Sequence, residues 1–290
     1  MQQRQVPSDR DTSSGTWVGR TPLLFLLLVP VFSLPFYFLD RRALLPEGMP
    51  FISVTSLMVF VPLILALAFT YKENGWPEVR RLLARAFDVH KIRPLLWLVP
   101  ALLLLPTALY LAYLCSRLMG NELGDPTALW ENAGTTLAVF VLMLIPLAIA
   151  EELAWMGYAA DPLQERWGTL AASTLIGLTW AMWHWLPWYR SFGSIEWVVW
   201  MTVLDLMLRA LTFWLYNNTR GSVFVTVIFH ASFNVAYQIF PDEGRTYDPF
   251  ATVLVIGIVT LIVMAIWGPK TLACYRFSIA GRSDAGRTHV

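Results

Sequence analysis

Seven ionisable or amide side chains sit inside long runs of Leu, Val, Ile, Phe and Ala: Glu151 and Glu152, His184, Asp205 and Arg209, and His230 with Asn234. An ionisable group at membrane depth costs several kcal/mol, so each one calls for a partner or a purpose. Adjacent helical residues point about 100° apart, so Glu151 and Glu152 face different neighbours. Two like charges side by side in low dielectric push at least one carboxylate toward protonation, which is how a general base or a shared-proton site is made. His230 and Asn234 are spaced i, i+4 and share a helix face, so an imidazole and a carboxamide can converge on one oxygen. Asp205 and Arg209 have the same spacing, which predicts a self-neutralising structural ion pair. Ser173 and Ser232 are present, but Ser232 is two residues from His230 and points elsewhere, and no Ser or Cys is spaced to act as a nucleophile with His184.

The elements carrying these residues follow from composition. The 290 residues are 57% hydrophobic and 14% charged, with 14 tryptophans, whereas about a quarter of the residues in a soluble domain are charged. A water-soluble globule is excluded. Gly and Pro total only 35 and there are two cysteines, which also excludes collagen-like, disordered and disulfide-framework chains. The net charge of +1 gives no surface for nucleic acid. A bilayer core needs roughly 20 apolar residues in helix, and eight stretches qualify: Pro22–Leu39, Phe51–Thr70, Pro94–Leu114, Thr135–Tyr158, Leu170–Trp188, Trp197–Tyr216, Val223–Phe240 and Phe250–Trp267. The expected fold is an all-α polytopic membrane protein of about eight transmembrane helices. It comprises a polar tail over 1–21, one transmembrane domain over 22–267 and a second tail over 268–290.

Lysines and arginines divide 15 to 5 between the two sets of connections, with Arg209 alone inside a span. The positive-inside rule then puts both termini in the cytoplasm of a multi-pass cell-membrane protein. Three arginines precede the first apolar run, but no small-residue cleavage site follows it, so it reads as a retained anchor. Cys115 falls near the outer face and Cys274 in the cytoplasmic tail, and both are expected to be unbridged structural thiols. The stretch from Tyr71 to Arg93 reads as an amphipathic cytoplasmic helix. Trp167-Gly168 is the best turn signal between the fourth and fifth spans and lies midway between Glu151 and His184. A hairpin reversing there sets both side chains about 25 Å from the turn, although Pro162 argues for an earlier end to the fourth helix. His230 lies nine residues beyond Gly221, which places it about 13 Å inside the seventh span.

Three segments carry a resemblance: Glu151-Glu152-Leu-Ala-Trp-Met156-Gly157, Trp180-Ala-Met-Trp-His184 and His230-Ala-Ser-Phe-Asn234. In that order, over about 135–238, they resemble the three motifs of the CPBP (CAAX-processing and bacteriocin-protection, or Abi) family of intramembrane proteases. Met156 stands where the family has Arg, and Trp180 where it usually has Phe. The aromatic exchange reads as mild. The lost Arg is not, because its i+4 spacing from Glu152 would hold that carboxylate ionised and oriented. Arg209 is the only intramembrane cation, so it is expected either to serve Asp205 or to stand in for the missing Arg.

The resemblance implies an endopeptidase in which Glu151 and His184 activate water and His230 and Asn234 donate to the oxyanion, with Glu152, Arg209 and Trp180 in support. A zinc form would use Glu151, His184 and His230 as ligands. Metal-free glutamate chemistry is favoured, because there is no His-Glu-x-x-His pairing and the ligands would come from three separate helices. The expected partners are membrane lipids and a peptide or protein substrate, with a lipidated one suggested by Trp155, Trp180, Trp183 and Trp185. The alternative is a non-catalytic membrane binding or immunity protein that retains the polar pocket, for which Met156 is the main support.

Overall fold

The computed structural model describes residues 21–38, 54–126, 133–237, 240 and 246–273. Residues 1–20 and 274–290, with Cys274, and the connections holding Arg41, Arg42 and Arg245 lie outside these residues. Among the described residues there is no strand, as expected of a backbone that must satisfy its own hydrogen bonds in lipid.

Eight long helices order the described residues. α1 is Pro22–Tyr37, α2 is Phe60–Ala84, and α3 is Leu98–Leu118. α4 is continuous over 133–167 and contains two π-helical stretches, Phe140–Leu144 and Leu153–Ala160. α5 is Thr169–Phe192, α6 Ile195–Asn218, α7 Val223–Ala236 and α8 Pro249–Trp267. Side chains cap three of the helices: Ser194 accepts from Trp197 N, Ser222 from Val225 N, and Asp248 from Phe250 N and Ala251 N. Each cap satisfies an end N–H that has no partner within its own helix.

Two boundaries differ from expectation. The second span and the following amphipathic segment form a single element, broken at Gly75, whose φ of 74° and ψ of −173° suit glycine alone. Glu73 just before the break ties the element to its neighbours, accepting from Thr21 Oγ1 at 3.2 Å and from the Tyr158 hydroxyl at 2.9 Å. Pro162 does not end α4, which runs on to Trp167 and reverses at Gly168 (φ 81°). Five residues before Pro162, the Gly157 carbonyl accepts from Arg85 Nη1 at 2.7 Å. An external donor thus reaches the backbone where the proline has no N–H to offer.

Among the described residues five helices are long and apolar enough to cross a membrane: Leu57–Phe87, Leu95–Leu118, Leu137–Trp167, Ile195–Asn218 and Pro249–Trp267. This is fewer than the eight expected. α1 and α7 have 16 and 14 residues, and 14 residues rise about 21 Å against a hydrocarbon core of about 30 Å. α5 has the length but is diluted by His184 and four tryptophans. α7 is enclosed by neighbours, packing on α3, α4 and α6, and a segment buried in protein need not satisfy the bilayer by itself.

The helices alternate in direction. At one end the α2 terminus, the α4–α5 turn, the α6–α7 turn and the chain after α8 meet: Arg85 Nη2 donates to the Gly221 carbonyl, Thr169 N to Lys270 O, and Asn217 Nδ2 to Thr271 O. At the other end Ser116 of α3 donates to Asp248 at 2.9 Å, and Arg190 of α5 reaches the Tyr37 carbonyl of α1. Connections expected to share a face therefore do so, and the first end is the basic one. Trp155, Trp183, Tyr158 and Arg209 fill the centre at full burial, while Leu27, Ile64, Leu103, Leu142 and Leu261 project outward as an apolar rim.

Candidate active site

The motif residues come from three helices, α4, α5 and α7, and Arg209 joins them from α6. Glu151 and Glu152 end the α-helical stretch Ile145–Glu152 of α4, and the π-helical stretch begins at once. π-bulges recur at functional positions because they re-aim side chains within a continuous helix. α5 packs closely on α6 at Gly177, where an added Cβ would lie 3.3 Å from the Leu206 Cα and 3.4 Å from the Arg209 Cβ. That approach sets Arg209 beside the motif residues of α5.

The two glutamates face different partners, as their spacing requires. Both Glu152 oxygens accept from Arg209 Nη1, at 2.9 and 3.0 Å, and Oε1 also accepts from His230 Nδ1 at 3.0 Å. The expected Asp205–Arg209 ion pair does not form. Arg209 turns one helix away to Glu152, and Asp205 Oδ2 is buried without a hydrogen-bond partner among the described residues. A guanidinium in low dielectric gains most from a carboxylate it can approach squarely, and a neighbouring helix offers that more readily than an i, i+4 partner on its own. Arg209 thus provides the cation that Met156, fully buried in the core, does not.

Glu151 Oε2 accepts from two indoles, Trp180 Nε1 at 2.7 Å and Trp155 Nε1 at 3.4 Å. Oε1 has no hydrogen bond among the described residues, and Glu151 keeps 7% of its surface exposed. His184 Nδ1 lies 2.9 Å from the Trp180 carbonyl. A carbonyl only accepts, so Nδ1 carries the proton and Nε2 is directed away from it. The ring is stacked on Trp188, with centroids 5.1 Å apart and planes 14° apart.

Trp180 is the hub. Its indole N–H holds Glu151, its carbonyl holds His184, Arg209 Cζ lies 4.2 Å from its ring centroid, and its edge meets the His184 and His230 rings at 5.5 Å. The exchange read as mild changes the bonding of Glu151: phenylalanine could offer the ring face but no N–H to that carboxylate. Sequence spacing could not reveal this, because the bond joins residues 29 positions apart on different helices.

A narrow crevice with room for about one water at most is lined by Glu152, Trp180, Arg209 and His230 together with Leu105, Leu208, Thr212, Phe229 and Phe233. Glu151, His184 and Asn234 are not in its lining. Asn234 is half-buried one turn beyond His230 and makes no side-chain hydrogen bond among the described residues. The hydroxyls of Ser173 and Ser232 are committed to the Leu170 and Phe229 carbonyls. Cys115 is a half-buried free thiol.

Among the described residues no three His, Cys, Asp or Glu side chains gather as a metal shell. Glu152 is taken up by a guanidinium and Glu151 Oε2 by two N–H donors, while Glu151 Oε1 makes no hydrogen bond among the described residues.

Residues 133–236 match the family described as Type II CAAX prenyl endopeptidase Rce1-like. The chain is also 28% identical over 174 residues to CAAX prenyl protease 2 of Methanococcus maripaludis, an alignment covering 57% of this chain and 62% of that relative. The resemblance read from three short motifs is borne out by these matches, and all three motifs fall within the matched residues.

Proposed function

We propose, from the similarity to CAAX prenyl endopeptidases over α4 to α7, that this chain is an intramembrane endopeptidase in which a glutamate activates water. The observation that carries the reading is the placement of Trp180 between Glu151 and His184, with one bond to each. In this reading Glu151 Oε1 and His184 Nε2 take up a water between them and accept its proton as the oxygen attacks the scissile carbonyl. The C–O bond forms, the negative charge on the carbonyl oxygen is met by His230 and Asn234, and collapse breaks the C–N bond as the proton passes to the leaving amine. Glu152, held by Arg209, accepts from His230 Nδ1, and the imidazolium form of His230 is then the one whose Nε2–H can donate to the substrate oxygen. The substrate class is a peptide, and the name of the Methanococcus relative makes a prenylated carboxyl-terminal peptide the first to try.

Met156 no longer favours a non-catalytic binding protein, since Arg209 provides the charge partner that its side chain lacks. The test is cleavage of a prenylated peptide library by purified protein. Glu151→Gln is expected to reduce kcat by at least a thousandfold with folding intact, and His184→Ala similarly. A Glu151→Gln protein as active as wild type refutes the reading, and activity lost in chelator and restored by zinc refutes its metal-free form.

A further inference from the structure

Arg85 lies on the tight turn Arg85–Phe87 that ends α2, outside the residues that match the endopeptidase family. Its side chain is only 15% exposed, and its guanidinium reaches three other elements. Nη1 donates to the Gly157 carbonyl of α4 at 2.7 Å. Nη2 donates to the Tyr216 hydroxyl of α6 and to the Gly221 carbonyl before α7 at 3.2 Å, and lies 3.5 Å from Asp161 Oδ2. The Tyr216 hydroxyl in turn donates to Asp161, 2.8 Å from either oxygen. Three residues further on, Asp88 caps α7, accepting from Ser222 Oγ at 2.8 Å and Phe224 N at 3.1 Å.

The three helices tied here, α4, α6 and α7, are those whose side chains meet at Glu152. Gly157 is five residues beyond Glu152, Tyr216 seven beyond Arg209, and Gly221 nine before His230. A helix that slides by one residue moves 1.5 Å along its axis. That would break the 2.9–3.0 Å contacts among Glu152, Arg209 and His230. A planar fork with four oxygen partners fixes relative height in a way that a single flexible surface pair cannot.

We propose that Arg85 is a positioning residue. From the basic end of the bundle it sets the axial register at which α4, α6 and α7 present Glu152, Arg209 and His230. Its kinetic consequence rests on the endopeptidase reading, whereas the register does not.

The test uses the full chain in lipid nanodiscs, comparing Arg85→Gln, Arg85→Lys, Tyr216→Phe and, as a control at the opposite end, Ser116→Ala. The measurements are kcat and KM on a prenylated peptide, near-UV circular dichroism of the tryptophans, and the thermal midpoint. Arg85→Gln is expected to lower kcat about ten- to a hundredfold with KM within about twofold. It should also alter the tryptophan signal, and Arg85→Lys should recover part of both losses. Ser116→Ala should leave both unchanged at a comparable drop in midpoint. Folded Arg85→Gln with unchanged kcat and unchanged tryptophan signal overturns the proposal, as does a loss that Ser116→Ala reproduces at equal midpoint. If Arg85→Gln does not fold, Tyr216→Phe, which removes one oxygen and keeps the ring, is judged by the same outcomes. If the wild-type chain cleaves nothing, the endopeptidase reading falls, and the tryptophan signal alone decides whether Arg85 sets the register.

Discussion

At the scale of single residues, the centre of this molecule is a charge relation that crosses between helices. Arg209 and Glu152 are both about 1% exposed and joined at 2.9 Å. Removing one partner leaves an uncompensated buried charge, so Arg209→Met is expected to destabilise the protein by about 3–5 kcal/mol. The double variant Arg209→Met with Glu152→Gln should be markedly more stable than Arg209→Met alone, as measured by thermal unfolding in detergent. Trp180→Phe makes a finer test: it keeps the ring face above which Arg209 lies and deletes the N–H on Glu151. Losing one hydrogen bond to a charged acceptor should cost about 1.5–3 kcal/mol, with kcat on a prenylated peptide falling roughly tenfold or more. The identity of the polar residues was legible in the sequence, because each interrupts an apolar run. Their pairing was not, since Asp205 and Glu152 compete for one cation and only the approach of α4 to α6 decides between them.

At the scale of elements, hydropathy located all eight helices to within a few residues at most ends, and Trp167-Gly168 was legible as the reversal. Continuity was harder to read. Gly75 breaks a helix that resumes at once, and Pro162 follows a π-helical stretch in a helix that does not stop. In both places a bond to another helix, from Tyr158 to Glu73 or from Arg85 to the Gly157 carbonyl, supports a backbone that local propensity alone disfavours. The close pass of α5 over α6 gives a prediction here. Gly177→Ala adds a Cβ 3.2–3.4 Å from Leu206 and Arg209. Alanine is the better helix former by about 1 kcal/mol, but crowding of a packed contact costs about 1–3 kcal/mol. A net fall in thermal midpoint is expected, together with a fall in kcat, because the displaced segment carries Arg209. An unchanged midpoint would mean that α6 yields freely.

At the scale of the whole molecule, the alternating helices gather most basic side chains at one end, with Arg85, Lys91, Arg166, Arg220 and Lys270 around the same turns. The positive-inside rule predicts that this end faces the cytoplasm. A cysteine introduced at Arg166 should be blocked by a membrane-impermeant thiol reagent only after cells are opened, and one introduced at Gly193 should be blocked in intact cells. The reverse pattern would invert the molecule. The ion pair at its centre also has a consequence for biogenesis, since Glu152 and Arg209 are separated by 57 residues. At ribosomal speeds of about 5–20 residues per second, the acid is threaded toward lipid roughly 3–11 s before its counter-ion has been synthesised. A nascent chain halted ahead of Arg209 should therefore integrate its fourth segment poorly, and the insertion machinery must hold that segment in a wet environment until the sixth one emerges.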